Sequence, residues 1–119
     1  MGLISQLLIG FVALLHFYIL VLEMFLWTSP KGRKVFGLTE EFAEQSKVLA
    51  ANQGLYNGFL AAGLSWALLQ GSSGTATAIF FLSCVLVAGV YGGITAKPKI
   101  LFIQAMPAAV SLLAIWFGI

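Results

Sequence analysis

The longest apolar stretch runs from Leu3 to Trp27, LISQLLIGFVALLHFYILVLEMFLW, and it carries one histidine, His16, and one acid, Glu23. As a helix rising about 1.5 Å per residue, it is long enough to cross the roughly 30 Å hydrocarbon core of a bilayer. The pattern breaks over Thr28 to Lys34, where Pro30 disfavours helix at Ser29, Gly32 permits a turn and three cations mark water or headgroups. Thr39 followed by Glu40 and Glu41 reads as a helix start, with a threonine N-cap and acids favourable to the helix dipole. From there a helix continues to about Leu69, amphipathic over Glu40 to Lys47 and membrane-embedded from near Val48. A short uncharged loop, Gln70 to Thr75, separates it from a third helix, and Ala96-Lys97-Pro98-Lys99 separates the third from a fourth. The expected fold is therefore all-α: one domain, residues 1–119, of four transmembrane helices in a compact bundle at about 3–27, 39–69, 76–95 and 100–118.

Composition agrees with a membrane chain. Hydrophobic residues make up 61% and charged residues 8%, against about 25% charged in a soluble domain. The first helix lacks a positive n-region and small residues before a cleavage point, so it is expected to be retained. The single cysteine, Cys84, allows no intramolecular disulfide. With neither CxxC nor a Cys/His ligand cluster, no metal site and no cofactor is expected. All six cations, Lys31, Arg33, Lys34, Lys47, Lys97 and Lys99, fall on the side shared by the first and third connections. By the positive-inside rule that side is cytoplasmic, both termini lie on the non-cytoplasmic side, and the expected location is a cell membrane, with a bacterial inner membrane favoured. The cations face anionic headgroups, so the lipid bilayer is the expected partner and nucleic acid is not. A homo-oligomer is a further expected partner for a unit this small.

Orientation assigns depths to the polar residues. His16 falls near the midplane and Glu23 about one turn inside the cytoplasmic boundary, seven residues away on the same helix face. Asn52, Gln53, Tyr56 and Asn57 fall in the cytoplasmic third of the second span, Tyr91 near the inner end of the third, and Gln104 one turn into the fourth. Ionisable groups at membrane depth cost about 2.5 kcal/mol or more on insertion scales and mark functional positions. Together these eight residues suggest a polar, ligand-binding pocket open to the cytoplasm, with His16 at its floor. The plainer alternative is that each amide or tyrosine only hydrogen-bonds to a neighbouring helix. The GxxxG spacings Gly54/Gly58 and Gly89/Gly93 are expected to form the seam between the second and third helices. Pro107 is expected to kink the fourth helix by removing a bond to the Ile103 carbonyl.

The blocks ALLHFYILVLEMFLW, Pro30 to Phe36 as P-x-G-x-K-x-F, KVLAANQGLYNGFLAAGLSW, VAGVYGG and ILFIQAMPAA resemble the small integral membrane proteins known as domain of unknown function thirteen-oh-four. The likeness covers almost the whole chain and implies a four-helix multi-pass protein with no assigned activity. It also implies that His16, Glu23, Asn52, Gln53, Tyr56 and Asn57 are recurrent positions. Three functions remain open on the sequence. The first is binding or transport of a small polar or cationic molecule, with Glu23 as counter-ion or proton carrier. The second is a structural or assembly role with no ligand. The third is a membrane-embedded enzyme using His16 and Glu23 as acid and base on a lipid-like substrate, although no nucleophile elbow or nucleotide loop is present.

Overall fold

The computed structural model describes residues 1–119, which form five α-helices. They are α1 (Leu3–Phe25), α2 (Pro30–Phe36), α3 (Glu40–Leu69), α4 (Thr75–Thr95) and α5 (Met106–Trp116). A 3₁₀ turn at Gly71–Gly74 links α3 to α4, and a π-helical turn at Leu101–Ala105 precedes α5. Two helices, α1 and α4 with its preceding turn, are long and apolar enough to cross a membrane.

The expected loop after the first helix is instead the short helix α2. Its signals lie in the residues that suggested a break. Ser29 is its N-cap, accepting at Oγ from the Gly32 N–H at 3.2 Å, and Pro30 occupies the first turn, where its missing N–H costs nothing. Gly37, at φ 68°, closes α2 in the left-handed conformation, and the Leu38 N–H donates to the Arg33 carbonyl at 2.8 Å. Thr39 caps α3 as expected, its Oγ1 accepting from the Phe42 N–H at 3.1 Å.

The chain divides into two packed units. One contains Met1–Leu14 and Leu60–Ile119. Its core is Ile9, Val12, Ala13, Leu64, Ala67, Ala78, Leu82, Val85 and Ala108. Here Gly89 meets the π-turn, since a Cβ at that position would lie 2.5 Å from the Ala105 nitrogen and 2.9 Å from its Cα. Gly93 meets the Leu101 side chain in the same way. These glycines therefore seat α4 against the segment leading into α5, which corrects the expected seam with α3. The π-turn answers to Pro107. Proline removes the bond to the Ile103 carbonyl, and the wider turn lets the Met106 N–H reach back five residues to Leu101.

The other unit is Leu15–Phe59: the second half of α1, all of α2 and the first part of α3. Gly54 and Gly58 bring α3 onto α1. A Cβ on Gly54 would fall 2.7 Å from Met24 Cγ and 3.0 Å from Glu23 Cβ, and one on Gly58 would meet the tip of Leu20. Trp27 packs against Phe36 with ring centroids 4.9 Å apart and planes tilted by 47°, and donates its ring N–H to Ser46 Oγ at 3.0 Å. Burial in this unit favours small side chains: Gly32, Ala43, Ala50 and Gly54 are buried, while Phe17, Phe25, Val48, Leu49 and Phe59 are exposed.

Candidate functional site

The second unit holds a buried carboxyl–amide pair. On α3 the buried positions Ala43, Ala50, Gly54 and Asn57 recur at spacings of seven, four and three residues, which is one helical stripe. That stripe puts Asn57 against α1, whose buried positions include His16, Leu22 and Glu23. Asn57 Nδ2 donates to Glu23 Oε1 at 2.6 Å and to the Gln53 carbonyl at 3.2 Å. Glu23 is 3% exposed and Asn57 7%. The contact depends on Gly54, one turn before Asn57, because any side chain there would collide with Glu23 and Met24.

His16 lies two turns before Glu23 and is fully buried. Seven residues of helix separate the two by about 10 Å along the axis, so each has its own surroundings. No group of three His, Cys, Asp or Glu side chains is gathered in the chain.

The remaining candidates fall elsewhere. Asn52 lies about 160° around α3 from Ala50 and Gly54 and Tyr56 about 100° from Asn57, and both are exposed. Asn52 turns back on its own helix, donating from Nδ2 to the Val48 carbonyl at 2.9 Å. Tyr56 packs its ring at 5.9 Å from that of Phe59. Gln53 is exposed and contributes its backbone carbonyl to Asn57. Tyr91 and Gln104 belong to the first unit. Tyr91 is exposed on an apolar groove along α4 with Phe80, Ser83, Cys84, Val87 and Ala88, and Gln104 is half-buried within the π-turn. The structure thus joins Glu23 and Asn57 by a hydrogen bond, and it turns Asn52, Tyr56 and Tyr91 outward.

Two contributors escape a reading by polarity alone. Gly54 makes the close approach possible, and the stripe of small residues at 43, 50 and 54 is the signal that selects Asn57 over Asn52. Tyr18 carries the Lys31 ammonium 5.6 Å from its ring centroid, a cation–π contact that no spacing rule joins.

No solved structure matches the chain. It is 34% identical over 108 residues to the protein titled Uncharacterized protein YpaA from Lactococcus lactis subsp. lactis (strain IL1403), a match covering 89% of this chain and 91% of the relative. A family model described as Protein of unknown function (DUF1304) matches residues 10–116. With nine-tenths of the chain accounted for by both comparisons, the blocks around Glu23 and Asn57 included, this protein belongs to the family described as Protein of unknown function (DUF1304).

Proposed function

We propose that this chain is a multi-pass protein of a cell membrane that binds, and by extension carries, a small cationic molecule at Glu23. In this reading α1, the apolar part of α3, α4, and the π-turn with α5 are four spans. The termini lie on the non-cytoplasmic side and the site opens toward the cytoplasm. Support for the membrane setting comes from the two long apolar helices and from the placement of all six cations on two connections and the start of α3. Support also comes from packing. Ala and Gly fill much of the interior while Leu7, Phe11, Leu14, Phe80, Val87 and Ile94 are exposed, as on surfaces solvated by lipid.

The observation that carries the ligand class is the partner of Glu23. A buried acid needs compensation, and here a neutral amide provides the hydrogen bond rather than Lys or Arg. A carboxylate offers about four acceptor positions, of which Asn57 fills one. A cation arriving at Glu23 would supply the missing charge, and Asn57 would hold the carboxylate in place for it.

Tetraphenylphosphonium is a suitable probe, titrated calorimetrically into the purified chain in detergent. Wild type is expected to bind it, and Glu23→Gln to bind at least about tenfold more weakly, the factor for about 1.4 kcal/mol of lost interaction. Gln keeps an oxygen for Asn57, so the fold should survive. Equal binding by both proteins would sink the assignment.

One specific observation favours a second reading, that the pair only locks helices together. Asn57 Nδ2 bridges Glu23 and the Gln53 carbonyl, a closed arrangement packed under Gly54. That reading predicts no probe binding by wild type, with Glu23→Gln changing thermal stability alone.

A further inference from the structure

The helix α2 carries a feature that the Glu23 site does not use. Gly32 is buried hard against the end of α1, with no room for a Cβ beside the Leu26 carbonyl. Phe36, one turn on, packs against Trp27. With both ends capped by Ser29 and Gly37, the short helix has a defined inner face, and its other positions are aimed accordingly. Lys31, Lys34 and Val35 are exposed, and Arg33 is half-buried at the flank. Lys31 lies along α1 with its ammonium over the Tyr18 ring.

Arg33 is the anomaly. Its Nε is sealed from solvent and makes no hydrogen bond. A buried guanidinium N–H left unsatisfied is costly, and guanidinium pairs best with the paired oxygens of a carboxylate or phosphate. No acid forms an ion pair with Arg33; the ion pair of the chain is that of Lys47 with Glu44. Glu41 accepts instead from the Gln45 amide at 3.5 Å, and Glu23 from Asn57. Three cations therefore share one capped seven-residue helix, and the guanidinium among them is half-buried with no acid paired to it. The helix directly follows an apolar segment of membrane-spanning length.

We propose that α2 is a seat for the phosphate of an anionic phospholipid headgroup, with Arg33 as the specific contact and Lys31 and Lys34 supplying the surrounding charge. In this seat the tilted Trp27–Phe36 pair and the exposed Val35 would meet the acyl boundary beside the phosphate. This seat is separate from the cation site and needs only that α2 lies at a membrane surface.

The test uses the full chain, delipidated in detergent and incubated with equal amounts of dioleoyl phosphatidylglycerol and dioleoyl phosphatidylcholine. Retained lipid is quantified by mass spectrometry. Wild type is expected to retain phosphatidylglycerol with at least about fivefold preference, the factor one cation contributes near a charged membrane surface. Arg33→Gln should remove most of that preference, and Arg33→Lys should not restore it fully, because lysine lacks the planar fork. Lys34→Gln, at an exposed position where folding is not at stake, should lower it about fivefold or less. Lys47→Gln should lower it less than Arg33→Gln does, since it changes the net charge by the same amount without removing the contact assigned to Arg33. Glu23→Gln should also retain it, so failure of the cation site and failure of this seat are separable. Equal retention of the two lipids by wild type overturns the proposal, as does an equal loss from Lys47→Gln and Arg33→Gln. Displacement of the lipid by free glycerol 3-phosphate would likewise overturn it, by showing that the phosphate alone is bound.

Discussion

At the scale of single residues, the chain is governed by what a buried polar atom can find. Glu23 finds Asn57, and the bond has an asymmetric energetic meaning. Removing one partner leaves the other buried and unpaired, whereas removing both leaves nothing to satisfy. Asn57→Ala is expected to destabilise the protein by about 1–2 kcal/mol. That exceeds the roughly 0.6 kcal/mol average for side-chain bonds between membrane helices, because the acceptor is a carboxyl group. Adding Glu23→Leu to Asn57→Ala should recover part of the loss rather than deepen it. Thermal unfolding of both variants in detergent checks this, and a double variant less stable than the single one would contradict it. Asn52 differs from Asn57 only by position: five residues earlier it bonds to its own helix at an exposed site, so Asn52→Ala should fall within about 0.5 kcal/mol of wild type.

Among elements, close approach decides the packing, and glycine sets where it happens. Gly54 and Gly58 share one GxxxG spacing but face different neighbours. A methyl at Gly54 would press on Glu23 Cβ at 3.0 Å and the Leu20 carbonyl oxygen at 3.3 Å, groups attached to or part of a helical backbone. At Gly58 it would meet only the Leu20 side chain, closest at Cδ1, the end of a flexible chain. Gly54→Ala should therefore cost about 1–3 kcal/mol by overpacking. Gly58→Ala should be close to neutral, since about 1 kcal/mol of helix propensity offsets the crowding. Equal melting temperatures for the two variants would show that α1 and α3 are not held as described. The π-turn follows the same logic in the other unit, where Pro107 forbids the regular bond and Gly89 admits the widened backbone.

For the whole molecule, the testable quantity is topology. With Cys84 replaced by Ser, single cysteines at Lys34, Ser72 and Lys97 report the side on which each connection lies. A membrane-impermeant maleimide should label position 72 from outside intact spheroplasts and positions 34 and 97 only in inverted vesicles. Labelling of 72 and 97 from one side would remove α4 from the set of spans and with it the four-span reading. The same experiment places α2, because position 34 lies on its exposed face.

Local propensity and hydrophobic periodicity were enough for the helical class, the limits of α3 and α4 to within a residue or so, and the threonine cap. The sequence also singled out Glu23, since one acid inside a 25-residue apolar run is conspicuous without any structure. Tertiary structure decided which helices the glycine pairs join, since a GxxxG spacing records a permitted approach and not the identity of the neighbour. It decided that Asn57 reaches Glu23 while Asn52 and Tyr56 turn outward, because a rotation of about 100° per residue separates adjacent polar side chains more sharply than depth does. And it turned an expected loop into α2, where the serine, proline and glycine that look like a break between helices act as the cap, first turn and stop of a short one.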